Sequence, residues 1–187
     1  MHTRTLTFGG YAREDGLWDI EGRLVDTKPF PQPMYERGEL PPDTPIHDIS
    51  LRVTVDNDLV IREIAVSMDS RPLGDCVRAE PTIQGMVGIT LGPGLNQAIK
   101  RILGSTQGCT HMREMLVNAA TVAYQCIPHG RDRLRRLAGL PEEPVGDRPP
   151  YHVGRCIVWD VDGPVVARMY PQFAGWAPLR RVDKRSA

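Results

Sequence analysis

One stretch of the chain decides the fold, residues 46–69, which read IHDISLRVTVDNDLVIREIAVSMD. Apolar and polar side chains alternate over residues 49–55, which is the period of a strand with one buried face. The polar triplet at 56–58 supplies a turn, and a second apolar run returns over 59–68. The stretch therefore predicts a β-hairpin.

The segments around this hairpin predict one more strand and several helices. Residues 1–28 contain a strand in which Trp18, Ile20 and Leu24 share a face. Residues 77–103 have the spacing of two short helices, and a longer helix begins at Cys109 or Thr110 and ends before Pro128. Strands grouped before helices favour an α+β fold, an antiparallel sheet of hairpins with helices packed on one face.

The remaining segments are predicted to be appended to that core. Residues 29–45 contain six prolines and form an arm without regular structure. Residues 129–150 are a linker, residues 151–172 form a second hairpin around Asp162-Gly163, and residues 178–187 are a mobile tail. We therefore predict a single domain over residues 1–187, with its core at about 10–128.

The composition limits the classes of partner. Lysine and arginine together number 23, as do aspartate and glutamate, so the formal net charge is zero. This balance gives no general attraction to nucleic acid or to an anionic membrane. The apolar runs are too short to span a bilayer, and the first residues lack the apolar region of a signal peptide. We expect a cytoplasmic protein with a small-molecule substrate, and a homodimer stays open.

The most reactive segment is Gly108-Cys109-Thr110-His111, which opens the long predicted helix. Backbone N–H groups and the positive end of the helix dipole at such a position favour thiolate over thiol. Thiolate is the form that binds metal or attacks an electrophile. An imidazole two residues away adds a second ligand or a proton carrier.

Other candidate ligands lie at the ends of the predicted hairpin. His47 and Asp48 begin its first strand, and Cys76 follows its second. These ends share one edge of an antiparallel sheet, and the start of a packed helix can reach the same edge. We predict a zinc or iron site with His47, Cys76 and Cys109 as ligands, and with His111 or Asp48 moving protons.

Further residues are open alternatives. Cys156 begins a predicted strand and is a candidate for an additional ligand. Asp15 and Asp19 flank Trp18 and suit a cation or a general base, although a solvated strand face is the commoner explanation. Cys126 lies on the apolar face of the long helix and is predicted to be core.

Several short motifs together resemble a known family. The resemblance rests on DGLWD at 15–19, LVDTK at 24–28, IHD at 46–48, GCTH at 108–111 and Tyr170-Pro171. These are similar to the bacterial domain-of-unknown-function family 2889, over nearly the whole chain. The family name implies no activity. Relatives are expected to carry a histidine after the late cysteine, where this chain has Ile157, which argues against a ligand pair there.

A second resemblance concerns the order of elements from His47 to Cys126. It is similar to the iron–sulfur cluster scaffold fold of the U-type scaffolds and their sulfur-acceptor relatives. That fold implies ligands at His47 or Asp48, at Cys76, and at Cys109 or His111. The scaffolds use three cysteines, whereas this chain has histidine at the first place. The difference favours a stable mononuclear metal, or a thiolate–imidazole site, over cluster assembly.

These observations lead to one functional expectation and two alternatives. We expect a metal-assisted hydrolase or lyase that acts on a small organic molecule through a Cys/His site. The first alternative is a carrier or assembly factor for iron–sulfur clusters or sulfur. The second is a metal-free interaction module.

Overall fold

The computed structural model describes residues 1–141 and 143–177. The chain forms two compact units, Met1–Leu134 and Arg135–Ala187, where the sequence suggested one domain with appended segments. The predicted tail at 178–187 lies outside the described residues.

The first unit is built around one antiparallel sheet. Its strand order is β1-β2-β5-β6, and a separate pair, β3-β4, lies in the proline-rich arm. The strands are β1 Thr3–Ala12, β2 Trp18–Thr27, β3 Gln32–Met34, β4 Gly38–Leu40, β5 His47–Val55 and β6 Ile61–Ser70. The helices are α1 Leu95–Leu103 and α2 Thr110–Leu137, with 3₁₀ turns at Gly74–Ala79, Pro81–Met86 and Ser105–Gln107. The predicted α+β class is confirmed.

The hairpin that decides the fold is present as β5 and β6, with Val53 opposite Ile64. The strand predicted in residues 1–28 is β2, in which Trp18, Ile20 and Leu24 are buried as expected. The prediction missed β1, which pairs with β2 along its whole length. This strand lies at the sheet edge and its residues are exposed or only partly buried, so the apolar alternation that marks a strand is weak.

The core lies between the sheet and the helices. The inward faces of β2, β5 and β6 pack with one face of α2, and the residues on these faces are buried. The α2 face is the predicted one: Met112, Met115, Leu116, Ala119, Ala120, Ala123 and Ile127. Burial of each large side chain in such a core stabilises the fold by about 1.5–3 kcal/mol.

Helix α2 does not end at Pro128 as predicted, but continues to Leu137. Proline removes one intrahelical hydrogen bond, and tertiary packing compensates for that loss. Ile127 is fully buried, and Gly130 lies so close to Trp18 that an added Cβ would be 2.5 Å from its ring. The helix therefore runs through the proline because the residues on both sides of it are held by the core.

Glycines in β1 permit another close contact. A Cβ added at Gly10 would overlap Sγ of Cys126 on α2 and lie 2.9 Å from its Cβ. A Cβ at Gly9 would instead meet the phenol of Tyr11, which is the end of a side chain that can move. Gly10 thus lets α2 approach the edge strand, and Cys126 is a packing residue, as predicted.

The second unit contains no hairpin among its described residues, so the prediction for residues 151–172 is wrong. Ile157–Trp159 form a 3₁₀ turn, α3 spans Pro164–Met169, and another 3₁₀ turn spans Pro171–Phe173. The Asp-Gly pair was taken for a strand turn, but Pro164 follows it directly. Proline cannot donate to a ladder and suits the first turn of a helix. Val153, Val166 and Phe173 form the small core of this unit.

Candidate functional site

Three side chains lie side by side at one end of three neighbouring strands in the first unit's sheet. Arg4 of β1 is opposite Asp26 of β2, and Asp26 is opposite His47 of β5. Both Nε and Nη2 of Arg4 donate to the Asp26 carboxylate at 2.8 Å. Nδ1 of His47 lies 3.0 Å from Oδ2 of the same carboxylate. Strand register alone therefore brings a cation, a carboxylate and an imidazole together.

The first turn of α2 adds His111 to this row. Its ring centroid is 4.1 Å from that of His47, and its Nε2 is 3.7 Å from Oδ2 of Asp26. On the other side of the ring, Nδ1 of His111 is 3.5 Å from Sγ of Cys109. His111 thus stands between the thiol and the carboxylate.

Asp26 is the centre of the cluster and is 1% exposed. Burial alone would raise its pKa, but hydrogen bonds and charge from Arg4, with help from His2 and His47, lower the pKa to about 2. His2 contributes Nε2, which lies 3.0 Å from Oδ1. The carboxylate is therefore ionised at neutral pH, which is the form that binds cations.

His47 and His111 are partly buried, and both favour the neutral state. Burial lowers the pKa of His47, and the Asp26 carboxylate acts in the opposite direction. Burial likewise lowers the pKa of His111, and the positive charge of Arg4, with that of His47 whenever His47 is protonated, adds to that effect. Neutral imidazole is the form that binds a metal ion.

The three groups have the spacing of metal ligands. One ligand atom each from Asp26, His47 and His111 lies within 4.8 Å of the other two. Ligands about 2.0–2.1 Å from one tetrahedral zinc ion are about 3.4 Å apart. The distances from Oδ2 of Asp26, 3.0 Å to His47 and 3.7 Å to His111, fall on either side of that value. Small side-chain movements would close the set around an ion.

The structure brings together only some of the predicted site residues. His47 and His111 meet, and Cys109 contacts His111 on the side away from Asp26. Cys76 lies apart from the cluster and lines a cavity of about 840 Å³ together with Cys109. Within residues 1–141 and 143–177, the cluster Asp26–His47–His111 is the one group with metal-ligand spacing.

The other predicted residues lie away from the cluster. Asp48 faces the opposite side of the sheet from His47 and binds the guanidinium of Arg23 at 2.6 and 2.8 Å. Asp15 and Asp19 both contact Arg13. Cys156 is an exposed residue of the second unit.

Sequence reasoning missed Asp26, although the sequence contained a signal for it. Trp18, Ile20 and Leu24 define the buried face of β2, and Asp26 continues the same period of two. A carboxylate on a buried strand face is costly unless it is paired or binds a metal. This break in the apolar pattern makes Asp26 a candidate site residue.

Acid should weaken the fold through Asp26. Its pKa is about 2 in the folded protein and about 4 in an unfolded chain, so the ionised form stabilises the fold. We expect about 2 kcal/mol of stability to be present above pH 4 and lost as the pH falls from 4 to 2. Urea unfolding between pH 4 and pH 2, in the presence of a chelator, measures this loss of stability. The Asp26→Asn variant should not show the loss. An equal pH dependence of the free energy of unfolding in both proteins would contradict the prediction.

Comparison with known proteins agrees with the motif resemblance. The family model "Protein of unknown function (DUF2889)" matches residues 2–125. The chain belongs to this family. The match covers all the cluster residues but ends before the second unit, whereas the motifs suggested nearly the whole chain. No curated protein and no solved structure matches, so the likeness to iron–sulfur scaffolds stays a prediction.

Within the described ranges, no helix is both long and apolar enough to cross a membrane.

Proposed function

We propose that this protein binds one zinc or iron ion through Asp26, His47 and His111 and uses it in hydrolysis or lyase chemistry on a small organic molecule. The observation that carries the proposal is the convergence of one ligand atom each from Asp26, His47 and His111 within 4.8 Å. Two imidazoles and one carboxylate are a recurrent ligand set for both metals, and three protein ligands leave a position open.

The residues around the cluster support a ligand role for His111. In the tautomer with its proton on Nδ1, His111 would donate towards Sγ of Cys109 and offer the lone pair of Nε2 to a metal ion held beside Asp26. Metal-binding histidines characteristically donate their second nitrogen to such an acceptor, which fixes the ring orientation.

The proposed chemistry follows from the open position. A bound metal ion of this class polarises a carbonyl or lowers the pKa of a bound water. His2 and Nε of Arg4 bind Oδ1 of Asp26, while Oδ2 accepts a hydrogen bond from Nη2 of Arg4 and faces the two histidines. The side chain of His2 is 45% exposed, so the cluster is accessible to solvent on the side where His2 lies.

Metal analysis of the purified full chain tests the proposal. We expect about one zinc or iron ion per chain after gel filtration, since a three-ligand site retains metal through purification. Replacement by Co²⁺ should give visible absorption bands that shift on addition of azide, which reports the open position. The Zn²⁺-loaded protein should hydrolyse p-nitrophenyl acetate faster than the chelator-treated protein. A full chain that takes up neither Zn²⁺ nor Fe²⁺ would overturn the proposal.

A sulfur or iron–sulfur carrier is the second candidate, because Cys76 and Cys109 line the same cavity. An oxygen-sensitive brown chromophore that passes to an apo acceptor protein, and that is lost in Cys76→Ala, would favour it over the mononuclear site. If neither metal nor chromophore is found, the third option is a metal-free interaction module.

A further inference from the structure

Arg4 connects the cluster to helix α2. Its Nε and Nη2 bind both oxygens of Asp26, while its Nη1 donates to Oε2 of Glu114 at 2.8 Å. Glu114 lies three residues after His111, on the next turn of the same helix. One guanidinium is thus shared between the buried carboxylate of the cluster and a carboxylate that is 38% exposed.

A guanidinium in this position has a different effect from an ordinary supporting hydrogen bond. Nη2 of Arg4 donates to Oδ2, which is the proposed ligand atom of Asp26. A cation so placed draws electron density from that oxygen and repels an incoming metal ion. Two positive charges about 5 Å apart repel appreciably in a partly buried site.

We infer that Arg4 is a positioning residue that competes with the metal ion for Asp26 and moves towards Glu114 when metal binds. The inference rests on the proposed metal site. Because Arg4 already bonds to Glu114, the shift needs no new partner and leaves the guanidinium paired. Arg4 thereby keeps Asp26 compensated when no metal is bound, at the expense of metal affinity.

The inference predicts opposite effects for the two partners. Arg4→Gln removes the competing charge and should bind Zn²⁺ about tenfold more tightly than wild type. Glu114→Gln removes the second carboxylate partner of Arg4, so the guanidinium stays on Asp26. This variant should bind Zn²⁺ about fivefold more weakly than wild type. Arg13→Gln is the matched control, since Arg13 follows β1 at the end away from Arg4 and contacts Asp15 and Asp19. Its affinity should equal that of wild type.

Competition with a chromophoric chelator, using Zn²⁺ as the probe and the full chain, measures these affinities. A damaged fold would weaken binding, so tighter binding by Arg4→Gln cannot come from structural loss. Arg4→Lys keeps the charge and should remain within about threefold of wild type. If wild type binds Zn²⁺ but Arg4→Gln binds equally or more weakly, the inference is overturned while the metal site stands. If wild type binds no Zn²⁺, the inference is overturned, and the metal site is overturned with it when Fe²⁺ does not bind either.

Discussion

Replacing His111 by alanine is expected to lower Zn²⁺ affinity at least about 100-fold, because loss of a direct ligand exceeds the 10–100-fold effect of removing an outer-shell partner. The side chain supplies one of three convergent ligand atoms, and its Nε2 lies 3.7 Å from Oδ2 of Asp26. Elemental analysis after gel filtration should show near-complete loss of the ion. Circular dichroism should remain that of wild type, since His111 opens a helix held by its other residues.

Two control variants make this result specific to the cluster. Cys109→Ser keeps an acceptor near Nδ1 of His111, so binding should fall only about tenfold, which is an outer-shell effect. Asp48→Asn should leave occupancy unchanged, because Asp48 binds Arg23 on the opposite side of the sheet. Full metal occupancy in His111→Ala, or a complete loss in Asp48→Asn, would contradict the assigned ligand set.

Replacing Gly10 by valine is expected to lower the free energy of unfolding by about 3 kcal/mol, the upper range for overpacking. The new Cβ would overlap Sγ of Cys126, so either β1 or α2 must shift. Urea unfolding followed by tryptophan fluorescence measures the loss.

The neighbouring glycine provides a matched control for this effect. At Gly9 the added atom meets the phenol of Tyr11, which can swing aside, so Gly9→Val should cost less than about 1 kcal/mol. Combining Gly10→Val with Cys126→Ala removes the overlapping sulfur and should recover part of the loss. Equal costs at Gly9 and Gly10, with no recovery in the double variant, would show that the approach of α2 is not the cause.

The elements with a clear period were predicted from sequence, and those without one were not. Alternation in β5 and the three-four spacing in α2 reflect burial of one face, so both were found. Edge strand β1 buries little and contains two adjacent glycines, so its pattern is weak. In the second unit, an Asp-Gly pair predicted a hairpin, but the proline that follows it is the first residue of a helix.

The candidate site was predicted in part for a similar reason. His47 and His111 lie at the ends of correctly predicted elements, so their approach follows from topology. Asp26 joins them through the pairing of β2 with β5, and local sequence does not specify which strands pair. Cys76 follows the second hairpin strand as predicted, but it lies in a 3₁₀ turn that places it at the cavity it shares with Cys109.

The row Arg4–Asp26–His47 depends on three strands being in one alignment. Successive residues of a strand face opposite sides of a sheet, so a slip of one residue between β2 and β5 would place the wrong face against the core. The same slip would turn Asp26 away from His47 and scatter the ligands. A bound ion would therefore oppose misalignment of the sheet, and the ion's release would report the loss of correct strand pairing.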